Sequence, residues 1–477
     1  MTMTAEPSVF SGAALQDATI QFIATFDGTC VRADDMAFDS ARAVWNAAAD
    51  DLRPVLLARP SGAAGVAQAV RFAARTGLPL AVRSGGHSPA GFGTVEGGMV
   101  LDLSGMKAML IDPQTRRIRL QPGLTWGEVA AGLHEHGLAI TSGDVAAVGV
   151  GGLTQGGGIG WFVRRYGLAV DRLRAAELVT ADGTLLRVSE TEHPEVFWAL
   201  RGAGANLGVV TSLEFEAHEA GMVYGGLLAF DASEPAEAAR LLGRFARIAH
   251  AAPDALTMQG MFVAAPPAPF IPPHLVGKTI LMVLSCYSGA LEDGAAALAP
   301  VRALGAAVDL TGPIPYPVLF QMSEEGGRRG RRHVSRSGFL RALDTDALAR
   351  LTAALASMPL GLVVQVRPLG GQLARIPQDA TAFGHRQAPF LVLIDQGVPD
   401  ASLEDAARQH VEHLWSTLAP HASGLYGNFA SDGDLRAGQP VYSSHDLARL
   451  ARIKAALDPH NLFARNANIR PAAVVSV

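Results

Sequence analysis

Residues 83–88 read Arg-Ser-Gly-Gly-His-Ser and come directly after the apolar run Leu80-Ala81-Val82. A short apolar run bounded by turn residues predicts a buried strand. The two glycines after it carry no side chain, so the backbone there can approach a ligand closely. We therefore expect His87 to lie at the end of a strand, on a loop suited to binding.

A β-α unit precedes this loop. Residues 55–58 predict a strand, and apolar side chains within residues 66–74 recur at helical spacing before Gly77, a typical left-handed helix stop. We expect Ser61 to cap that helix, because its hydroxyl can accept a hydrogen bond from a free amide of the first turn. The region thus predicts a β-α-β unit that ends in the His87 loop.

A second glycine-dense segment occupies residues 149–160, after a predicted helix at residues 126–136. Bare backbone amides can converge on an anion, so dense glycines suit phosphate binding. One such loop alone is more often a surface turn, but two in one region favour a nucleotide site. Residues 156–160 also fit a nicotinamide-type Rossmann pattern with Glu177 as the ribose ligand. No clear strand leads into them, which disfavours that alternative.

Beyond residue 219 alanine-rich helices alternate with strand-like runs, which indicates a second domain. The predicted helices cover residues 234–252, 344–356 and 401–418, and the predicted strands cover residues 225–230, 279–286, 362–366 and 390–394. The last segment predicts a helix at residues 447–457. A basic run at residues 328–333 could attract an anionic substrate, but its glycine favours a solvated loop.

Composition excludes several classes of protein. The chain has 477 residues, which is long for a single core, and its net charge of −5 gives no general attraction to nucleic acid or anionic membranes. No stretch reaches about 18 apolar residues, and residues 1–12 lack the pattern of a secretory signal. Cys30 and Cys286 are too far apart for a disulfide framework, and His410 and His413 lack a third metal ligand. We expect a cytoplasmic protein without nucleic-acid, membrane or metal partners.

Several motifs, in the same order, resemble the berberine-bridge-enzyme-like and 6-hydroxynicotine-oxidase-like FAD-linked oxidases. These belong to the vanillyl-alcohol-oxidase / p-cresol-methylhydroxylase superfamily. The resemblance runs, with gaps, from about residue 40 to the C-terminus. It is carried by residues 83–88, 148–160, 166–171, 197–211, 426–429 and 458–463, followed by Asn466, Asn468 and Pro471.

The resemblance implies an α+β fold of two domains, with a PCMH-type FAD-binding domain built from both ends of the chain. It implies that residues 1–218 form the main part of the FAD domain. Residues 219–426 would form a substrate domain, an antiparallel sheet backed by helices, and residues 427–477 would return to the FAD domain. The FAD pyrophosphate would lie along the two glycine loops, where convergent amides can solvate it.

The resemblance also implies that His87 holds FAD covalently through the 8α carbon. The other implied cofactor-binding residues are Arg83, Ser84, Gly85, Gly86, Ser88, Gly143, Asp144, Gly149, Val150, Gly151, Gly152, Gly156, Gly157, Gly158, Gly160, Tyr166, Val210, Asn466 and Asn468. Relatives with two covalent bonds carry a cysteine where this chain has Val145, so a single attachment is predicted. Ala467 replaces a glutamine that is usual in the family's tail, which removes any contact from that side chain.

Tyr426 and Asn428 are the candidate catalytic residues. In several relatives the equivalent tyrosine lies beside the flavin and can act as a base. An unperturbed phenol titrates near about 10, so that role needs its pKa lowered by roughly 2–3 units by cationic or hydrogen-bonding partners. The alternative is a buried hydroxyl that caps a strand end. Asn428 would share the face of Tyr426 if the segment is a strand.

The resemblance therefore implies an oxidase that passes a hydride from a small organic amine or alcohol to covalently bound FAD. O2 would then reoxidise the flavin and yield H2O2. Three alternatives stay open: a dehydrogenase with another electron acceptor, an oxidative cyclase or flavin oxygenating enzyme of secondary metabolism, and a flavin-retaining binding protein without turnover. Fold does not choose the substrate.

Overall fold

A small sheet carries the His87 loop. The computed structural model describes residues 12–355, 359 and 361–473. Residues 1–11, which lack the pattern of a secretory signal, lie outside the described residues. Strands β1 (Gly28–Arg32), β2 (Leu56–Pro60), β3 (Leu80–Arg83) and β4 (Met99–Asp102) form a sheet in the order β1-β2-β4-β3. Strand β4 is parallel to β2 and β3. The helices of this part are α1 (Gly12–Thr25), α2 (Phe38–Arg42) and α3 (Ala63–Thr76).

The predicted β-α-β unit is confirmed, with one correction at its helix start. Gly77 ends α3 in the left-handed conformation, as expected. Ser61 does not cap the helix, because Gly62 occupies the capping position without a side-chain hydrogen bond. Ser61 instead donates its amide to the carbonyl of Asp27. The start of α3 also passes so close to Asp27 that a Cβ on Gly65 would lie 2.2 Å from its carbonyl oxygen.

A second, antiparallel sheet completes the first domain. It is formed, in the order β5-β6-β10-β8-β9, by β5 (Met109–Asp112), β6 (Arg117–Leu120), β8 (Leu173–Val179), β9 (Leu185–Ser189) and β10 (Val209–Glu216). Strands β7 (Leu138–Ala139) and β11 (His218–Glu219) pair separately. The helices are α4 (Trp126–His134), α5 (Val150–Gln155), α6 (Val163–Tyr166) and α7 (Pro194–Ala203). The residues after Gly149 therefore form a short helix and not a continuous loop.

The second domain is built on a large antiparallel sheet in the order β15-β12-β14-β13-β18-β19-β17-β20, with β16 paired to β12. Its strands are β12 (Met222–Asp231), β13 (Leu256–Ala264), β14 (Thr279–Tyr287), β15 (Val308–Asp309), β16 (Gly312–Pro315), β17 (Arg332–Leu340), β18 (Leu362–Pro368), β19 (Phe390–Val398) and β20 (Ala422–Gly424). Its helices are α8 (Pro235–Ala251), α9 (Leu291–Arg302), α10 (Val318–Gln321), α11 (Thr345–Ala354), α12 (Gln372–Arg375) and α13 (Glu404–Leu418).

The two faces of this sheet differ in chemistry because side chains alternate along each strand. One face packs on α8, α11 and α13 in an apolar core that includes Phe245, Phe262 and Val392. The opposite face looks towards the first domain, and its centre is polar. It carries Gln259, Gln365, Arg367, His333, Ser335 and Asp395.

Residues 328–330 of the basic run form an exposed loop, as predicted, but the run continues into a strand. Arg332 begins β17, and its guanidinium forms ion pairs with Asp51 of the first domain and Glu404 of α13. His333 is half-buried within the same strand. The ion pairs of Arg332 could not be predicted from the sequence, because Asp51 and Glu404 are both remote from it along the chain.

The C-terminal segment returns to the first domain, as predicted. Helix α14 (Asp432–Arg436) is followed by α15 (Ser444–Leu457), which packs on α7. Lys454 and Asp458 are both completely buried and form an ion pair of 3.0 Å. Lys454 also donates to the carbonyls of Asn206 and Phe463. The buried ammonium group of Lys454 thus donates to three acceptors and holds the C-terminal segment against the first domain.

None of the helices described combines the length and the apolar character that a bilayer crossing requires. The cytoplasmic location and the domain boundaries at residues 218 and 426 stay predictions.

Replacing Lys454 with methionine should cost about 3–5 kcal/mol of folding free energy, because Asp458 then stays buried without its cation. Chemical unfolding followed by tryptophan fluorescence measures the loss. Lys278 is exposed, so Lys278→Met is the control and should change stability by no more than about 0.5 kcal/mol. Equal unfolding midpoints for both variants would contradict this account of the tail.

Candidate cofactor and active site

The two glycine segments meet backbone to backbone. A Cβ atom on Gly85 would lie 2.4 Å from the amide nitrogen of Gly149, and one on Gly149 would lie 2.2 Å from the amide nitrogen of Gly85. No side chain fits at either position. The carbonyl of Pro122 accepts hydrogen bonds from the Ser84 hydroxyl and from the Gly151 amide. Two loops that are remote in sequence thus form one cradle of bare backbone.

Further glycines of the cradle are required by conformation or by close approach. Gly86, Gly157 and Gly158 have φ angles of 72°, 126° and 85°, which disfavour other residues. A Cβ on Gly156 would lie 2.1 Å from Oδ1 of Asn428, and one on Gly160 would lie 2.3 Å from the carbonyl oxygen of Ser142. These predicted cofactor residues therefore also shape the cradle.

The remaining predicted loop residues lie along its flanks. Val150 is buried and donates its amide to the carbonyl of Leu124. Ser88 is half-buried beside His87. A Cβ on Gly143 would lie 2.7 Å from a methyl group of Leu153.

The residues present fit FAD. A Cβ on Gly152 would meet no described atom within 4 Å, so the cradle is open there. Thr141, Thr154 and Gln155 each hold a buried side-chain oxygen without a hydrogen-bond partner among the residues described. Bare amides and unpaired polar groups beside an open face suit a long polar ligand that carries phosphates.

His87 is presented from this cradle as a neutral imidazole. Burial, together with the charge of Arg329 and the neighbouring His333, lowers its pKa to about 4. Its ring stacks on Trp45 at a centroid distance of 5.7 Å with an interplanar angle of 22°. A neutral imidazole keeps the nitrogen lone pair that a nucleophile needs.

Val145, at the position of the second attachment in some relatives, lines a cavity of about 460 Å³ together with Gly127, Phe320 and Gly327. Neither cysteine lies on this loop: Cys30 belongs to β1 and Cys286 to β14. Burial raises the pKa of both thiols, to about 11 in the case of Cys30. The prediction of a single attachment stands untested by this geometry.

Tyr426 faces the second glycine segment. Its hydroxyl oxygen accepts hydrogen bonds from the amides of Gly158 (3.1 Å) and Ile159 (3.3 Å) and from Nδ2 of Asn428 (2.8 Å). Burial raises the pKa of this phenol, while the three N–H donors and the charge of Arg367 oppose the rise. The oxygen therefore lies where a negative charge would find three donors.

Asn428 lies beside Tyr426, but not for the reason that the sequence suggested. Residues Gly427–Phe429 form a turn of 3₁₀ helix, so the strand on which a shared face depended is not present there. The two side chains meet because this turn folds back, and Nδ2 of Asn428 also donates to the carbonyl of Leu153 at 2.9 Å. Tyr426 and Asn428 together hold residues 153–159.

A hydrogen-bond chain that the sequence analysis missed joins the second domain to the cradle. Arg367 forms an ion pair of 2.8 Å with Asp144 and donates from Nε to Gln365 at 2.9 Å. Gln365 in turn donates to Gln259 at 2.9 Å. The guanidinium lies 5.0 Å from the ring centroid of Phe429. The alternation of Gln365 and Arg367 places both side chains on one face of β18, and the sequence could have indicated this. Their connection to Asp144 could not be predicted, because Asp144 is remote along the chain.

Other predicted site residues have mainly structural contacts. Arg83 lies beneath the His87 loop in an ion pair of 2.8 Å with Asp102. Tyr166 stacks on His218 at a centroid distance of 3.5 Å, and Val210 is buried in β10. Asn466 donates to the carbonyls of Ala205 and Phe463, whereas Asn468 is exposed.

Two families match parts of the chain. The family described as an FAD binding domain matches residues 54–189. The family described as berberine and berberine like matches residues 426–470. The two matches cover the cradle and the returning tail, respectively.

Relatives extend the similarity over the chain. An FAD-linked oxidoreductase of Dictyostelium discoideum is 29% identical over 88% of this chain and 89% of its own. (R)-6-hydroxynicotine oxidase of Paenarthrobacter nicotinovorans is 42% identical over 41% of this chain and 42% of its own.

Solved structures share the two-domain fold. The structure of 6-hydroxy-D-nicotine oxidase from Arthrobacter nicotinovorans has a TM-score of 0.81 at 27% identity and covers 94% of this chain and 99% of that one. Xylooligosaccharide oxidase from Myceliophthora thermophila, in complex with xylobiose, has a TM-score of 0.82 at 26% identity, with 96% and 99% coverage.

Gly149→Ala should weaken flavin loading, since the added methyl group must displace the His87 loop. We expect a loss of about 1–3 kcal/mol of stability from the overpacking and less flavin absorbance per protein. Gly105→Ala is the matched control, because a Cβ there meets no described atom within 4 Å. Equal flavin content in both variants would show that the close contact of the loops is not needed.

Proposed function

We propose that this chain, which belongs to the berberine-bridge-like FAD-linked oxidases, oxidises a small organic amine or alcohol with FAD bonded to His87. The observation that carries the proposal is the neutral imidazole of His87 on a bare-backbone cradle within an FAD binding domain. Two kinds of relative named above are oxidases of 6-hydroxynicotine and of xylooligosaccharides, which supports a small-molecule substrate. The same resemblance supports O2 as the final electron acceptor.

The residues that would hold FAD are those of the cradle. The amides of residues 84–88 and of Gly152 would face the pyrophosphate, because those of Val150 and Gly151 already donate to the carbonyls of Leu124 and Pro122. His87 would bond to the 8α carbon. Bound FAD would supply a two-electron acceptor that takes hydride from the substrate and passes both electrons to O2, which leaves as H2O2.

The chain's own residues would bind, orient and deprotonate the substrate. The polar sheet face with Arg367, Gln365 and Gln259 would contact it from the second domain. Tyr426 would take the proton, although burial raises its pKa where a base needs it lowered. Its oxygen already accepts three N–H hydrogen bonds, which stabilise a developing negative charge. Asn428 supplies one of those donors and would hold the phenol in place.

A peroxide-coupled screen of amines, alcohols and sugars with the purified protein tests the function. We expect H2O2 in a one-to-one ratio to oxidised product for at least one class. Flavin that a substrate reduces without oxygen, but that air reoxidises only slowly, would contradict an oxidase and favour another electron acceptor.

His87→Ala should convert bound flavin into flavin that acid releases. Wild-type protein should keep its yellow colour in the acid precipitate, because the bond to His87 survives denaturation. His413→Ala is the control, since His413 lies exposed on α13, and it should behave as wild type. Acid-stable flavin in the His87 variant would place the attachment elsewhere.

Tyr426→Phe should slow anaerobic flavin reduction by about 10²–10⁴-fold if the phenol removes a proton. Burial raises the pKa of Tyr426, so the wild-type rate should increase with pH up to that pKa. The phenylalanine variant should lack this increase. An unchanged rate and pH profile would leave Tyr426 with only the task of holding the Gly158 amide.

A further inference from the structure

The segment 43–46 forms hydrogen bonds to the His87 loop on both sides of the histidine. Trp45 donates its backbone amide to the carbonyl of Gly86 at 2.9 Å. Asn46 donates from Nδ2 to the carbonyl of Pro89 at 2.8 Å. The indole of Trp45 lies over the His87 ring. The segment therefore fixes the backbone before and after His87 and also contacts its side chain.

The second domain holds this segment in turn. Oδ1 of Asn46 accepts from the amide of His333 at 2.9 Å, and its Nδ2 also donates to the His333 carbonyl at 3.2 Å. The indole nitrogen of Trp45 donates to the carbonyl of Gly326 at 2.9 Å. Arg329 reaches the loop directly and donates to the carbonyl of Gly85 at 3.2 Å.

A stack of aromatic rings completes the connection. The ring centroids of His333 and Trp45 are 3.9 Å apart, with an interplanar angle of 20°. Nδ1 of His333 lies 2.9 Å from a carboxylate oxygen of Asp395 on β19, which fixes the plane of the imidazole. Nε2 of His333 and Oδ1 of Asp395 are buried without a partner among the described residues. The contacts thus run from Asp395 through His333 and Trp45 to His87.

We propose that Trp45 and His333 are positioning residues for the bond between His87 and FAD, so that attachment of the cofactor depends on the second domain. This inference rests on the proposed function, in which His87 bonds to FAD. It assigns to β17 and β19 a task separate from substrate binding.

The bond places strict demands on the histidine. Joining a His87 nitrogen to the 8α methyl carbon forms one C–N bond and breaks one C–H and one N–H bond. Both protons leave, the electron pair of the C–H bond stays on the flavin, and O2 takes up that pair with two protons as H2O2. The imidazole must therefore be neutral and directed at one carbon. A side chain that rotates freely meets this geometry rarely, and a misplacement of about 1 Å can cost about 10²-fold in rate.

The inference is tested by measuring how much FAD per chain is covalently bound and how much is releasable. In the full-length protein, intact mass gives the covalent FAD and acid extraction gives the releasable FAD. Purified variants are incubated with added FAD, and the increase of the covalent fraction is followed over time. Trp45→Leu removes the stacked ring and keeps an apolar side chain, and Asp395→Asn removes the charge beside His333. We expect both variants to bind FAD and to form the bond about 10–100-fold more slowly. Trp45→Phe should recover most of the rate.

His410→Gln is the matched control, because His410 contacts Gln396 on the opposite face of β19, and its covalent fraction should equal that of wild type. Unchanged bond formation in both Trp45→Leu and Asp395→Asn would overturn the inference. Loss of all FAD binding in both would also overturn it, since the residues would then only support folding. Wild-type protein without covalent FAD would instead refute the proposed function.

Discussion

The contact between the backbones of Gly85 and Gly149 is the constraint on which the cradle depends. Neither position has room for a Cβ atom. Because both residues are glycines, the backbones of two separate chain segments can lie in direct contact and form one cradle. Other contacts of the cradle lie beside this one. Ser84 and Gly151 share the carbonyl of Pro122, and the turn at Gly157 and Gly158 lets the chain reach Tyr426.

The second domain faces this cradle with the polar side of its sheet. Alternation along the strands gives α8, α11 and α13 an apolar face and turns Gln259, Gln365 and Arg367 the other way. The buried ion pair between Arg367 and Asp144 connects that face to the loop after Gly143. Removal of either partner would leave a buried charge unpaired, which makes such a pair a strong constraint on how the domains meet. The polar sheet face and the loop after Gly143 are therefore held by the same contact.

The basic run shows why charges are hard to interpret from sequence. Arg328 to His333 looked like a solvated loop, yet Arg332 is held between Asp51 and Glu404 and His333 stacks on Trp45. Each partner is remote along the chain, so no local pattern could reveal it. The same holds for Asn428, whose contact with Tyr426 comes from a 3₁₀ turn and not from the alternation of a strand.

By itself, the sequence determined the elements whose signals are local. The β-α-β unit, the left-handed stop at Gly77, the glycine segments, and three helices and four strands of the second domain follow from side-chain periodicity and from the freedom of glycine. Strands β13 and β17 and helix α9 were not predicted. Tertiary structure alone decided what those elements touch. Arg367 met Asp144, Trp45 met His333 and Gly85 met Gly149 only once the chain had folded, because packing brings together residues whose separation along the chain carries no information about distance.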